Sequence, residues 1–590
     1  MKKLNEKGLT LVELIVSFAL VSVAMLYFYQ TVSTVSKLYK RAKIQTNQFT
    51  ESTYTLRLVK DYCSIEENLN NCIEKDSTNS LNNSFLRKIG SNLTVSKVVK
   101  DTQTIGSEMY SVLTFKYKDR DSTVFGLKDG KYLGKELTYK LYIKSGIAVL
   151  TTGPDLQNKL SGYTGDITEV VFYKETAEPT DGDWVLKEDI SANGNGTVWG
   201  ILRDDPNNRG KYIFHITFNR KKVYANPNSS KLFSFNKNNN SSLKKITRIE
   251  TLDTSNVTDM SYMFMGNLVL ESLDVSHFKT DNVITMQSMF DSCSKIKSLD
   301  VSGFKTNNVT TMSYMFHGCS KVESINGLTS FNTEKVGGMV QMFAGCSTIT
   351  NIDVTKFITK NVNSISHMFW ACTNLTELDV SSFNTEKVTN MTYVFGECKN
   401  LKKISGIESW NTSNVTSMGR MFFDTRLTDY DVLDLSGWDT SNVITMGFMF
   451  SSSSVKALKL RFDTSKVTTM QHMFYNCGQL EELDLGSDLN PNYFSTPKVT
   501  TMVHMFSSCP KLKKLDIRNF DTSSIIDIRH MFEGNISLDK LNINKDKFNI
   551  IKDKTYTYTE NKKVITESYY KQITQGCKKE IQDIINNQIK

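Results

Sequence analysis

Three imidazoles held in one register are the most suggestive chemistry in this sequence. His472, His504 and His530 fall at one position of consecutive units in a repeated segment, each just before a methionine. A line of histidines suits a metal site or a pH-sensing ladder. A variable solvent face is the plainer reading, and no residue is assigned to a metal. Tyr262, Tyr314, His367, Tyr393, Arg420 and Phe448 share the column, and aromatic residues and Arg are favoured at binding hot spots. A second column offers carboxylates: Asp274, Asp300, Asp353, Asp379, Asp434, Asp484 and Asp516. Like charges at strand spacing repel. Either these groups accept hydrogen bonds from nearby Ser, Thr or backbone groups, or they form an acidic stripe for a basic partner or cations. A third column holds Cys293, Cys319, Cys346, Cys372, Cys398, Cys477 and Cys509, each three residues after a Phe. Asn267, Thr425, Ser453 or Asn535 replace Cys in other copies. A site that accepts all four types calls for a small buried side chain with a hydrogen bond, not a thiolate ligand. No HExxH, Walker A, GxSxG or GxGxxG appears in the right context. No catalytic residue, enzymatic activity or cofactor is therefore expected.

The repeats position these columns. Phe recurs at 264, 290, 316, 343, 369, 395, 422, 450, 474, 506 and 532, in steps near 26 residues. Such a period means a solenoid whose units bury their faces only against neighbours. Within one unit, Val283, Met286, Met289, Phe290 and Cys293 follow a helical stripe, predicting a short helix of one or two turns. Ile296, Leu299, Val301 and Phe304 then shorten the spacing, predicting a brief strand. Nineteen of the 23 Met lie in two repeat columns and are expected in the core. The repeat region is set at 226–548, with 549–590 as a C-terminal cap or tail. Gly486–Lys498, which carries two prolines, is expected as an exposed loop.

Ahead of the repeats the pattern changes. ITEVVFYKE, GTVWGILRD and GKYIFHITF read as strands of a small β module over 166–225, preceded by a polar linker over 154–165. MYSVLTFKYK and LTYKLYIK also alternate as strands. At the start, Leu9–Tyr29 is an apolar run of 21 residues with one charge, Glu13, about the length that spans a bilayer. Lys2, Lys3 and Lys7 place its N-terminus in the cytoplasm. No Gly or Pro interrupts the chain from Leu9 to Ile89, so a long helix is expected over 9–62. A carboxylate within a span costs about 2.5–3.5 kcal/mol on insertion scales and asks for a function. A secretory signal peptide cut after Ala24 and a plain anchor are the other readings of this segment. Basic and acidic residues number 71 and 62, for a net charge of +9. Without a block of Lys or Arg, nucleic acid is not an expected partner.

Lys7-Gly8-Leu9-Thr10-Leu11-Val12-Glu13 followed by the apolar run resembles the class III leader of type IV prepilins. The resemblance implies cleavage after Gly8 by a prepilin peptidase, N-methylation of Leu9, and a Glu13 carboxylate that neutralises the new amine inside a filament. It also implies a small antiparallel head on the helix, set at 63–153, and other pilin subunits as partners. Leu rather than Phe at position 9, and a helix without proline, favour a minor pilin or pseudopilin. Cys63 and Cys72 would then lie outside the cytoplasm and form a candidate disulfide. LESLDVSHFKTDNVITMQSMFDSC and its copies resemble the BspA-like leucine-rich repeats of bacterial surface proteins. That resemblance implies an extracellular repeat domain that engages protein ligands.

The expected fold is therefore multidomain α+β. A leader (1–8) precedes a pilin-type helix, an antiparallel β head and a small β module. A leucine-rich-repeat-like solenoid of about 11 repeats follows. The expected function is a surface minor pilin or pseudopilin that displays the repeats for adhesion, anchored by Leu9–Tyr29. Two alternatives are a structural pseudopilin for pilus assembly or secretion, and an anchored repeat adhesin outside any filament.

Overall fold

The computed structural model describes residues 94–105, 108–118, 137–144 and 148–587, apart from 175–182, 193, 195, 219–221, 239, 550–554, 561–562, 569–572 and 575. Gly8, Leu9, Glu13, Cys63, Cys72 and the expected helix over 9–62 lie outside them. Among the described residues no helix is long and apolar enough to cross a membrane.

Strands β1 (Thr94–Ile105), β2 (Glu108–Lys118) and β3 (Leu137–Lys144) form an antiparallel sheet in that order. Its register runs from Ile105 opposite Glu108 to Tyr117 opposite Leu137.

From Ala148 onward one hydrophobic core runs without a break to Ile585. β4 (Ala148–Val149) begins it, and α1 (Gly153–Lys159) follows. The linker expected over 154–165 is thus folded. Thr152 caps α1 by accepting a hydrogen bond from the Asp155 N–H, and Pro154 sits in the first turn, where its missing N–H costs nothing. Leu156 and Leu160 are fully buried. β5 (Ile167–Lys174), β6 (Leu186–Asp189), β7 (Val198–Asp204) and β8 (Tyr212–Phe218) come next; β5, β7 and β8 are the expected strands and β6 is an additional one. β9 (Val223–Tyr224), β10 (Lys245–Thr247) and β11 (Leu252–Asp253) tie them to the repeats. The main sheet has the order β10-β5-β8-β7-β6, and β9 lies between β4 and β11. Strands from both sides of residue 225 share these sheets, so the small β module is the closed N-terminal end of the solenoid and not a separate unit.

The solenoid itself is built from columns. The Phe rings stack from coil to coil, with centroids 5.0–5.9 Å apart from Phe264 to Phe532. Phe233 adds an earlier rung, 5.6 Å from Phe264. Both Met columns are fully buried, as core packing requires. Eleven buried threonines, from Thr254 to Thr522, each donate a hydroxyl hydrogen bond to a backbone carbonyl of the next coil. Short parallel strands, such as Ser298–Asp300 with Ser324–Asn326, join some coils. Single-residue parallel bridges run unbroken from Asp259 to Asp527.

The short helix expected in each unit is not what forms. The Met289 N–H bonds to Met286 O, Asp291 N–H to Ser288 O, and Cys293 N–H to Phe290 O. These three-residue closures reproduce helical spacing as a string of turns. Left-handed residues separate the turns, here Ser288 (φ 53°) and Ser292 (φ 60°). A left-handed non-Gly residue costs roughly 1–2 kcal/mol. In return its N–H points along the solenoid, from Ser288 to Ser313 O at 2.9 Å and from Ser292 to His317 O at 2.7 Å.

The ends are covered. At the C-terminus, α2 (Lys579–Asn586) buries Ile581 and Ile585 against the core. The Phe532 N–H bonds to Ile573 O, and the Cys577 thiol donates to Phe532 O. The segment Gly486–Lys498 is only partly an exposed loop. Leu489 stands out in solvent, but Phe494 and Thr496 are fully buried members of the repeat columns. The Asn519 amide donates to Ser487 O, Asn490 O and Tyr493 O and pins the insertion.

Candidate functional site

Two faces present the candidate residues. On the strand face, each Asp turns one oxygen back onto its own chain. Asp274 Oδ1 accepts from the Ser276 N–H at 2.9 Å and the Ser276 hydroxyl at 2.7 Å. Asp353 does the same with Thr355. Asp300, Asp379, Asp434, Asp484 and Asp516 accept the N–H two residues on, from Ser302, Ser381, Ser436, Gly486 and Arg518. These bonds hold the Asp274, Asp300 and Asp379 carboxyls below the usual carboxylate range, with the serine hydroxyl the largest influence. The local reading of the column therefore holds at every Asp.

The second oxygen divides the face in two. Towards the C-terminus it meets a cation: Lys459 on Asp434 at 2.7 Å, Arg461 on Asp484 at 2.6 Å, and Arg518 on Asp516 at 2.5 Å. Towards the N-terminus, Asp274, Asp300, Asp353 and Asp379 have no Lys or Arg partner among the described residues. The acidic stripe is confined to these four exposed groups.

The second face is the ridge of left-handed residues. It runs through Tyr262, Ser288, Tyr314, Gln341, His367, Tyr393, Arg420, Phe448, His472, His504 and His530, all with φ of 53–60°. The backbone here makes the bonds between coils, for example from the His367 N–H to Thr392 O and from the His472 N–H to Val503 O. Ser288 is buried and the other side chains are half-buried, and from His367 onward they stack on one another. His367 lies 4.8 Å from Tyr393, the Arg420 guanidinium lies between Tyr393 and Phe448, and Phe448 lies 4.4 Å from His472. His472 to His504 is 5.0 Å, and His504 to His530 is 4.6 Å. The structure thus brings the three sequence-selected histidines together.

Burial lowers the affinity of His367 and His472 for a proton. For His504, burial and then the neighbouring His530 and His472 push the pKa down to about 4. Sequence reasoning missed Glu533, whose carboxylate lies 3.0 Å from His530 Nδ1 and 3.9 Å from His504 Nδ1. The only signal available was its position three residues after a ridge residue, where Trp370, Phe423 and Tyr475 also stand.

The cysteine column is structural. Each thiol donates to the carbonyl of the Phe in the preceding coil, as Cys319 does to Phe290 O at 3.1 Å. Thr425, Asn535 and Asn267 make the same bond with hydroxyl or amide. Burial pushes the Cys319 and Cys372 thiols up to about 12, far from thiolate chemistry at neutral pH. The described cysteines are free.

A family model described as "Mycoplasma protein of unknown function, DUF285" matches residues 228–351, 295–405, 338–459, 401–491 and 481–568. A model described as "Prokaryotic N-terminal methylation motif" matches residues 3–29. No curated protein and no solved structure matches the chain.

Proposed function

We propose, since this chain belongs to the DUF285 repeat family, that it is a surface minor pilin or pseudopilin whose solenoid is displayed for adhesion or protein binding. The methylation motif and the repeated units fit a surface-exposed, membrane-associated protein with repeats. The reading rests on their pairing in one chain: a leader motif at 3–29 ahead of a solenoid closed at both ends. On this reading a prepilin peptidase cuts after Gly8, and Leu9 becomes the methylated N-terminus. Leu9–Tyr29 holds the chain in the membrane or filament. Burying the Glu13 carboxylate beside the new amine costs less than burying either charge alone. More than 400 residues of cargo on every subunit would crowd a filament, so the protein takes a tip or low-copy position. The exposed Asp274–Asp379 stripe supplies a surface for a basic protein ligand.

Mass spectrometry of sheared surface filaments and of membranes tests the first half. A peptide that begins at methylated Leu9 in filaments supports the reading. An intact Met1–Gly8 leader found only in membranes overturns it. Binding of the full chain to immobilised ligand protein tests the second half. Reversing Asp353 and Asp379 to Lys weakens binding about tenfold, or 1.4 kcal/mol, if the stripe is the contact. Unchanged binding removes the stripe from the function.

A further inference from the structure

The histidine end of the ridge carries an inference that neither the leader nor the repeats require. We propose that His504 Nδ1, His530 Nδ1 and a Glu533 carboxylate oxygen form a binding site for a divalent cation of the zinc type.

One ligand atom from each of the three residues lies within 4.8 Å of the others, and the Glu533 carboxylate stands 3.0 Å from His530 Nδ1 and 3.9 Å from His504 Nδ1. Neither Nδ1 has another use: both are buried and make no hydrogen bond. The His530–Glu533 approach of 3.0 Å is close, but its alignment is not that of a hydrogen bond. A buried polar atom without a partner costs about 1–3 kcal/mol, and a metal ion relieves that cost at both rings together.

The scaffold brings these groups together through the backbone. His504 and His530 are ridge residues of adjacent coils, and the His504 N–H bonds to Arg529 O at 3.0 Å. Glu533 closes the next turn, its N–H bonded to His530 O at 3.1 Å. Arg529, whose charge bears on His504, is held by both oxygens of Asp527.

Two imidazoles and one carboxylate match the donor set of zinc sites that keep a fourth position open. The softness of the set favours zinc, cobalt(II), nickel and copper(II) over magnesium and calcium. The three side chains are 19–33% exposed, which leaves room for water or a partner's side chain as the fourth ligand. Loading also changes the ridge. An imidazole lone pair lies in the plane of its ring, and these two rings are parallel to within 4°. Both cannot aim at one ion as they stand, so binding turns one ring out of the stack.

The other histidines of the solenoid do not offer the same set among the described residues. His317 Nδ1 is already bonded to Asp291 at 2.7 Å. His367 and His472 are followed three residues on by Trp370 and Tyr475, which bring no carboxylate.

The test is cobalt(II) titration of the untagged full chain in detergent, stripped with chelator and read by visible absorption, followed by displacement with zinc. One equivalent with a tetrahedral spectrum and no thiolate charge-transfer band is expected. The near-isosteric Glu533→Gln and the separate His504→Ala each weaken binding at least tenfold, with far-UV circular dichroism unchanged. His472→Ala leaves affinity within about threefold. No saturable uptake, a thiolate band, or uptake unaltered in Glu533→Gln and His504→Ala overturns the site.

Discussion

The two outer faces of the solenoid solve the same problem in opposite ways. On the strand face the side chain does the bonding: each Asp satisfies the N–H two residues on, and the residue type recurs through most of the coils. Inside, the threonine column does likewise, with Thr at all eleven positions. On the ridge the backbone does the bonding, through left-handed residues whose N–H groups reach the next coil. There the side chain has no fixed duty, and Tyr, Ser, Gln, His, Arg and Phe all occur. A column keeps its hydrogen-bonding chemistry where side-chain atoms hold adjacent coils or turns together, Thr throughout in one and Cys, Thr or Asn in another. It drifts where main-chain atoms do. The drifting ridge is therefore where a binding chemistry can arise without loosening the fold.

That contrast can be broken or sharpened by substitution. The largest effect belongs to the core that both faces share. Phe369→Ala opens a hole between Phe343 and Phe395, at 5.7 and 5.9 Å. It should cost about 3–5 kcal/mol in denaturant unfolding. Next comes a side chain that bonds the backbone. The Thr333 hydroxyl donates to Ile358 O at 3.0 Å and accepts from the Ile358 N–H at 2.6 Å. Thr333→Val leaves both groups unpaired and should cost about 1–3 kcal/mol. A loss as small as that of a ridge truncation would break the contrast.

On the ridge the comparison is between two truncations of one residue. His367→Ala loses the stack on Tyr393 and keeps a left-handed Cβ, whereas His367→Gly loses the same stack and relieves the backbone. The Gly variant should be the more stable by about 1 kcal/mol. Equal stabilities would mean that the left-handed turn carries no strain. The smallest effect is electrostatic. Burial pushes the Asp253 carboxyl upward, but hydrogen bonds from Ser255, Lys222 and Lys279 outweigh it and hold the pKa at about 2. The folded value lies below the unfolded one, so this stabilisation is complete above about pH 4 and fades as pH falls towards 2. Acid titration of Asp253→Asn should show a shallower loss over that window than the parent chain.

Much of this architecture is legible in the sequence. The Phe period fixes the coils, and the phase of each column places His472, His504 and His530 in one line. The three-residue spacing of Met and Phe misleads, because turns closed at three residues and helices share that period. Only φ separates them, and residues such as Tyr314 and His367 carry no sequence mark of a left-handed backbone. Phe233 and Cys577 belong to the columns but stand off-phase. Phe233 lies 31 residues before Phe264, and Cys577 lies 45 after Phe532, so periodicity alone passes over them. The helix at 153–159 was written in its cap, Thr152 and Pro154 ahead of Asp155, but polar composition hid it. Glu533 was illegible because its significance depends on two residues from different coils.

The covered ends of the solenoid have a consequence of their own. Every coil offers its successor the same row of donors and acceptors, and a bare last coil would offer that row to the first coil of another molecule. Such a contact is head-to-tail and never closes on itself, which is the geometry of an endless fibre. By seating Ile581 and Ile585 over the final rung, α2 keeps the protein from becoming its own monomer unit in an uncontrolled polymer. Any ordered filament this chain enters must then be organised from elsewhere in the molecule.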